Sequence, residues 1–136
     1  MFSVSPGLDF TFSSSSDISQ LLEKFEQLKK FRCVSFAILF DDINASPNEH
    51  NRLEFESPAH AQAYLANYLL EKLGPLKYFM FCPTGKVLYK KCFFIRNKNL
   101  ILEYCGSFAR PSAYDSPYLL DLGNLLNSEI MIMWTG

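Results

Sequence analysis

Two adjacent carboxylates, Asp41 and Asp42, are the residues whose types and spacing most directly suggest chemistry. They follow an apolar run at residues 33–40, which is typical of a strand buried on both faces. Neighbouring side chains on a regular strand point to opposite faces, so both carboxylates can face one site only where the strand gives way to a loop. Two carboxylates held that close favour one protonated and one ionised group, which is the pair that acid–base catalysis needs.

Spacing alone leaves other interpretations of this pair open. A solvated loop and a helix N-cap are both ordinary settings for aspartate. Metal ligation, as in phosphoryl transfer to an aspartate of the flavodoxin-like type, is a third, although no lysine stands at a recognisable spacing to assist it. The pair is therefore a candidate acid–base site with three alternatives.

The other reactive side chains give weaker signals. Tyr104 could donate a hydrogen bond in a site, but a lone tyrosine is more often a half-buried core phenol. His60 falls on a predicted helix and is interpreted as structural. Four cysteines lack C-x-x-C spacing and are interpreted as reduced, buried thiols rather than zinc ligands or nucleophiles: Cys33, Cys82, Cys92 and Cys105. Neither a metal nor a cofactor is predicted.

Helix start signals alternate with apolar runs along the chain. Asp17 is predicted to cap the first helix, with Gln20 completing a capping box. Ser57-Pro58 and Ser116-Pro117 each predict a serine N-cap followed by proline at the first helical position. Gly74-Pro75 predicts the end of the second helix. One buried face of the first helix is predicted from the apolar spacing of Ile18, Leu21, Leu22, Phe25 and Leu28.

Four strands are predicted, at residues 2–5, 33–40, 78–81 and 130–134. With the helices they give the order β-α-β-α-β-(insert)-α-β, which is typical of an α/β fold with parallel strands. In such folds the functional groups gather beyond the carboxyl ends of the strands. The segments that begin at Ser5, Asp41, Cys82 and Trp134 are therefore expected at one end of the molecule.

Composition limits the function classes. The chain has 136 residues, 49% of them hydrophobic and 15% aromatic, which is enough apolar matter for one packed domain or a piece of one. A formal net charge of −1 argues against a nucleic-acid partner. Apolar runs are too short to span a bilayer, and we find no secretory signal pattern. The sequence predicts a globular protein without a nucleic-acid or membrane partner.

Residues 85–102 differ from their surroundings in composition. They hold five of the 13 basic residues of the chain and no acidic residue. Three interpretations are open: a basic binding arm, a surface insertion, and intron sequence read through as coding sequence. The last is favoured because codons for glycine, lysine and leucine at its ends can form splice-like signals whose removal keeps the reading frame.

Seven segments carry a family resemblance: residues 5–13 (SPGLDFTFS), 33–43 (CVSFAILFDDI), 59–62 (AHAQ), 81–84 (FCPT), 103–108 (EYCGSF), 116–119 (SPYL) and 134–136 (WTG). Together they resemble glycoside hydrolase family 84, the animal-type O-GlcNAcases, whose catalytic domain is a (β/α)8 barrel. The resemblance covers nearly the whole chain except residues 85–102. It implies that residues 1–136 are about half of a glycoside hydrolase catalytic barrel.

This resemblance implies hydrolysis of O-linked N-acetylglucosamine from serine or threonine of nuclear and cytoplasmic proteins. The family mechanism is retaining and substrate-assisted, because the sugar's own acetamido oxygen attacks the anomeric carbon and forms an oxazoline. Matched by motif, Asp41 orients the acetamido N–H, and Asp42 is the general acid that later activates water. Tyr104 binds the acetamido oxygen, and Gly7 is a further substrate-binding residue.

A complete barrel takes about 250 residues, so four strands cannot close one. Residues 1–136 alone are therefore expected to fold poorly and to be inactive. The alternative function is a non-catalytic fragment or interaction isoform of the same family. The expected partners are O-GlcNAc-modified proteins, and an oligomer is expected at most for the full-length protein.

Overall fold

The computed structural model describes residues 1–40, 53–84, 93–95 and 117–134. Within these ranges the strands form one five-stranded sheet in the spatial order β1-β2-β3-β5-β4. Their bounds are β1 (Phe2–Val4), β2 (Ser35–Leu39), β3 (Tyr78–Cys82), β4 (Phe93–Ile95) and β5 (Ile130–Trp134). The four predicted strands are confirmed, and no end differs from its predicted position by more than two residues.

Four of the strands run parallel, as predicted. β1 pairs with β2, β2 with β3, and β3 with β5. Leu39, the last residue of β2, lies opposite Cys82, the last residue of β3. The carboxyl ends of these neighbouring strands therefore share one edge of the sheet, which confirms the α/β class.

β4 is a strand that the sequence pattern did not indicate. It lies inside residues 85–102, which were interpreted as an interruption of the fold, and it pairs antiparallel with β5. Phe94 lies opposite Met133 in this ladder. Aromatic and β-branched residues such as those of β4 favour extended backbone, which is the physical reason that a strand can form there. β4 thus forms one edge of the described sheet, beside β5, and β1 forms the other edge, beside β2.

Among the described residues, three helices of nine residues or more connect the parallel strands: α1 (Ser15–Lys30), α2 (Pro58–Leu73) and α3 (Pro117–Leu125). The start and stop of α2 are as predicted, since Ser57 accepts a hydrogen bond from the His60 N–H and Gly74 ends the helix at φ 70°. No helix in the described parts of the chain has the length and apolar character needed to cross a bilayer.

The predicted cap of α1 is wrong. Ser14 is the N-cap, and its Oγ accepts a hydrogen bond from the Asp17 N–H at 3.2 Å. Asp17 lies in the first turn, where its carboxylate accepts from the Thr11 N–H at 3.0 Å. Gln20 donates to Ser16 instead of closing a capping box. Ser14 and Asp17 are three residues apart, so the serine takes the capping position and the acid ties the preceding loop to the helix.

The core lies between the helices and one face of the sheet. Phe25 of α1 packs edge-on against Phe36 of β2 at 5.3 Å and against Phe79 of β3 at 6.3 Å between ring centroids. All three rings are buried. Edge-to-face pairs of this kind add about 0.5–1.5 kcal/mol each beyond the burial of their area. This packing fixes β2 and β3 relative to α1, and so sets where their carboxyl ends lie.

Candidate functional site

The ends of β2 and β3 are joined one residue beyond β2. The Phe40 N–H donates to the Cys82 carbonyl at 2.9 Å, which continues the parallel ladder past Leu39. The Phe40 ring is fully buried, with centroids 5.0 Å from Phe81 and 6.0 Å from Phe12. Phe40, the last described residue of this segment, is therefore held in a fixed place.

Three of the predicted site residues, Asp41, Asp42 and Tyr104, lie outside the described residues. Asp41 follows Phe40 directly in the sequence, so the residue that precedes the predicted carboxylate pair has a fixed position. The roles of the three residues stay predictions.

Gly7 lies in the loop after β1, at φ 101°. A Cβ atom placed there would meet no atom within 4 Å, so the backbone conformation, rather than space around the Cβ position, favours glycine here. Gly7 lines an open cleft of about 260 Å³ between this loop and α1. The cleft is lined by Pro6, Gly7, Leu8, Asp9, Phe10, Asp17, Gln20, Leu21 and Lys24. None of these described lining residues belongs to β2 or β3. The cleft beside Gly7 therefore does not include the carboxyl end of either strand.

A closed ring of hydrogen bonds lies at the carboxyl edge, and the sequence pattern gave it no role. The Thr84 N–H donates to the Tyr118 oxygen at 3.0 Å. The Tyr118 hydroxyl donates to Oε1 of Gln62 at 2.5 Å, and Nε2 of Gln62 donates to Oγ1 of Thr84 at 2.6 Å. The ring joins α2, the first turn of α3 and the chain just beyond β3.

Gln62 is the residue on which this ring depends. It is only 3% exposed and lies among apolar residues of α2 such as Ala59, Ala63 and Leu65. Burying an amide is costly unless both of its ends find partners. A lone glutamine on the apolar face of a predicted helix was therefore the signal that could have revealed this cluster.

Burial raises the pKa of Tyr118 from 10.0 to about 12, against the opposing effect of its hydrogen bonds with Thr84. The phenol therefore stays neutral, and able to donate to Gln62, across the physiological pH range. A neutral hydroxyl is what the ring requires, because Oε1 of Gln62 can only accept.

Stability should consequently fall as pH rises from about 10 towards 12. Below pH 10 the phenol is protonated in both states, whereas between these values the unfolded chain ionises Tyr118 first and unfolding is favoured. This one group contributes at most about 1.4 kcal/mol per pH unit. Denaturant unfolding of the protein and of Tyr118→Phe, over this range, measures the difference.

The slope of unfolding free energy against pH should be shallower in Tyr118→Phe than in the natural sequence. Tyr64→Phe, at an exposed ring outside the network, is the matched control and should keep the natural slope. Equal slopes in all three proteins would contradict the assignment.

The remaining sequence candidates are not brought together. His60 lies in α2 as predicted, with Nδ1 3.4 Å from the carboxylate of the exposed Glu56. Cys33 and Cys82 take part in no disulfide among the described residues, and Cys82 is buried as predicted whereas Cys33 is partly exposed. Cys92 and Cys105 lie outside the described residues. Among the described residues no group of three His, Cys, Asp or Glu side chains could hold a metal ion.

Comparisons with known proteins point in one direction. The sequence profile of the beta-N-acetylglucosaminidase family matches residues 1–136. Protein O-GlcNAcase of Rattus norvegicus is 39% identical over 136 residues, and that of Mus musculus is 38% identical. Each alignment covers 100% of this chain and 13% of the relative. The chain therefore spans a small part of the curated relatives that it matches.

A solved structure gives a fold comparison. A mutant O-GlcNAc hydrolase of Thermobaculum terrenum aligns with a TM-score of 0.70 and 23% sequence identity. The alignment covers 96% of this chain and 24% of that one. At this identity the likeness concerns the fold.

Proposed function

Because the chain belongs to the beta-N-acetylglucosaminidase family, we propose that the protein carrying it hydrolyses O-linked N-acetylglucosamine from serine or threonine of other proteins. The observation that carries this proposal is the family match over residues 1–136. The names of the two mammalian relatives support the substrate class. Nuclear and cytoplasmic glycoproteins are the proposed substrates, and the same two compartments are the proposed location.

The proposed mechanism uses the substrate as its own nucleophile. Asp41 accepts from the acetamido N–H and turns the acetamido oxygen toward the anomeric carbon, while Tyr104 donates to that oxygen. Asp42 protonates the leaving serine or threonine oxygen, and it then takes a proton from the water that opens the oxazoline. This is an exception to the scheme in which a second carboxylate is the nucleophile. Orientation of the internal nucleophile supplies much of the rate, so each of these groups is needed.

The described geometry supports this placement of the carboxylates. Phe40 continues the β2–β3 ladder and is anchored by buried aromatic rings, and Asp41 is the next residue. A catalytic pair that begins where a strand ends would stand at the carboxyl edge of the sheet, which is where α/β enzymes place their catalytic groups. Gly7 stands beyond the end of the neighbouring strand β1, and we retain it as a substrate-binding residue.

We also propose that β1, β2, β3 and β5 are four consecutive strands of a (β/α)8 barrel. Their parallel order and the fold likeness to an O-GlcNAc hydrolase support this proposal. Four strands leave the barrel open and omit the sugar contacts of the other strands, so residues 1–136 alone should be inactive. The second candidate function is that of a non-catalytic fragment or interaction isoform of the same family.

One experiment separates these functions. The full-length protein and residues 1–136 are each incubated with an O-GlcNAc-modified peptide and with a fluorogenic N-acetylglucosaminide. We expect N-acetylglucosamine release by the full-length protein and none by residues 1–136. The matching fluorogenic glucoside is the control, since it lacks the acetamido nucleophile and should stay intact.

Absence of hydrolysis by the full-length protein would overturn the enzymatic proposal in favour of the interaction isoform. Hydrolysis by residues 1–136 would overturn the claim that this part is insufficient.

Sequencing the mature transcript across residues 85–102 tests the proposal that this segment is retained intron sequence.

A further inference from the structure

We propose that Gln62 is a positioning residue for the proposed reaction, because its ring with Thr84 and Tyr118 fixes the carboxyl end of β3 and, through it, the exit of β2 toward Asp41. This inference rests on the proposed function. Gln62 itself would touch neither the sugar nor the reacting atoms.

In the ring both ends of the Gln62 amide have a hydrogen-bond partner. Oε1 accepts from the Tyr118 hydroxyl, and Nε2 donates to Oγ1 of Thr84. The Tyr118 oxygen in turn accepts from the Thr84 N–H. A flipped amide would place two donors against the Tyr118 hydroxyl and an acceptor against Thr84, and would need both hydroxyls to reorient. Thr84 is therefore held at its backbone and at its side chain by one buried amide and one phenol.

Thr84 is coupled to the predicted carboxylates through short covalent and hydrogen-bonded steps. It stands two residues after Cys82, whose carbonyl accepts from the Phe40 N–H. Phe40 immediately precedes Asp41. A shift of the chain at Thr84 would consequently move the Cys82 carbonyl and loosen the bond that sets Phe40.

The expected effect is on the chemical step more than on sugar binding. Catalytic geometry is sensitive to small displacements, since a misplacement of about 1 Å can cost on the order of 100-fold in rate. Removing an interaction made only in the transition state lowers kcat without a matching change in KM. Loss of the Gln62 ring should therefore lower kcat while KM stays close to its natural value.

Gln62→Met is the principal variant, because methionine has a similar volume, cannot donate to Thr84 and is at most a weak acceptor for the Tyr118 hydroxyl. A matched control lies on the same helix. Asn67 also uses its amide to tie α2 to the α3 region, donating to the Leu125 carbonyl at 2.9 Å and accepting from the Asn127 N–H at 2.8 Å. These bonds lie at the carboxyl end of α3, away from the ring. Asn67→Leu thus removes an equivalent structural clamp far from Thr84.

In the full-length protein we expect Gln62→Met to lower kcat at least about tenfold with KM within about twofold of natural. Asn67→Leu should lower the melting temperature and leave kcat unchanged. Amide hydrogen exchange at Phe40 and Thr84 should accelerate in Gln62→Met and stay natural in Asn67→Leu. A general loss of stability would not lower kcat at constant KM. It would also not confine the faster exchange to Phe40 and Thr84.

A second pair of variants decides the matter if Gln62→Met does not fold. Thr84→Ser keeps the hydroxyl that Gln62 binds, whereas Thr84→Val removes it at nearly constant shape. The serine variant should retain near-natural kcat, and the valine variant should lose several-fold. Equal kcat in these two variants would then overturn the inference.

Natural kcat in a folded Gln62→Met protein, or an equal loss in Asn67→Leu, would also overturn it. Failure of the proposed function has a different signature, since the natural protein itself would then show no turnover. In that event hydrogen exchange still judges the ring: unchanged exchange at Phe40 and Thr84 in Gln62→Met overturns its positioning role.

Discussion

Asp42→Asn is expected to lower kcat/KM of the full-length protein for an O-GlcNAc-modified peptide by about 10²- to 10⁴-fold, the usual contribution of a general acid. A serine or threonine alkoxide is a poor leaving group and needs the proton that Asp42 would supply. A dinitrophenolate leaves without protonation, so the same variant should lose far less activity on a dinitrophenyl N-acetylglucosaminide. Steady-state kinetics on the two substrates gives the ratio that tests this role.

The control for this comparison is the natural protein on the same two substrates, which fixes the ordinary dependence on leaving group. Equal losses on peptide and aryl glycoside would contradict the assignment of Asp42 as general acid. Circular dichroism of the variant separates a lost proton donor from a lost fold.

Asp41→Asn is expected to impair both substrates by a similar factor, on the order of 10²-fold or more. The acetamido oxygen attacks the anomeric carbon as either leaving group departs, so a nucleophile that is no longer oriented slows both reactions. An asparagine can still hydrogen-bond, but it does not carry the charge that polarises the acetamido N–H. The measurement is again kcat/KM for the peptide and for the aryl glycoside.

The pair of variants is most informative when compared directly. If Asp41→Asn were the variant whose loss depended on the leaving group, and Asp42→Asn were not, the two roles would be exchanged. Natural activity in both variants would remove the carboxylates from the mechanism altogether.

Local signals predicted much of the fold because they act over a few residues. The serine and proline that open α2, and the glycine that ends it, satisfy the backbone groups of the helix ends without help from the rest of the chain. The α1 cap shows the limit of this reasoning. Asp17 and Ser14 are both good caps, and the choice depends on Thr11, whose N–H binds the Asp17 carboxylate.

Long-range partners explain what the sequence pattern did not show. Gln62 finds its partners 22 and 56 residues away, at Thr84 and Tyr118, so no local spacing links the three. β4 likewise depends on its partner β5 rather than on its own three residues. The carboxylate pair, in contrast, is visible in the sequence because its two members are adjacent and follow an apolar run.

The two sides of the described sheet differ in how readily an additional strand could pair with them. A strand added beside β1 would meet an unoccupied rim of the described sheet, since β1 is its terminal strand. A strand added beside β5 would first have to displace β4, because that side of β5 is already hydrogen-bonded. A further strand can therefore pair with β1 without breaking any hydrogen bond of the described sheet. A strand that pairs with β5 on its outer side must first replace the β4–β5 ladder.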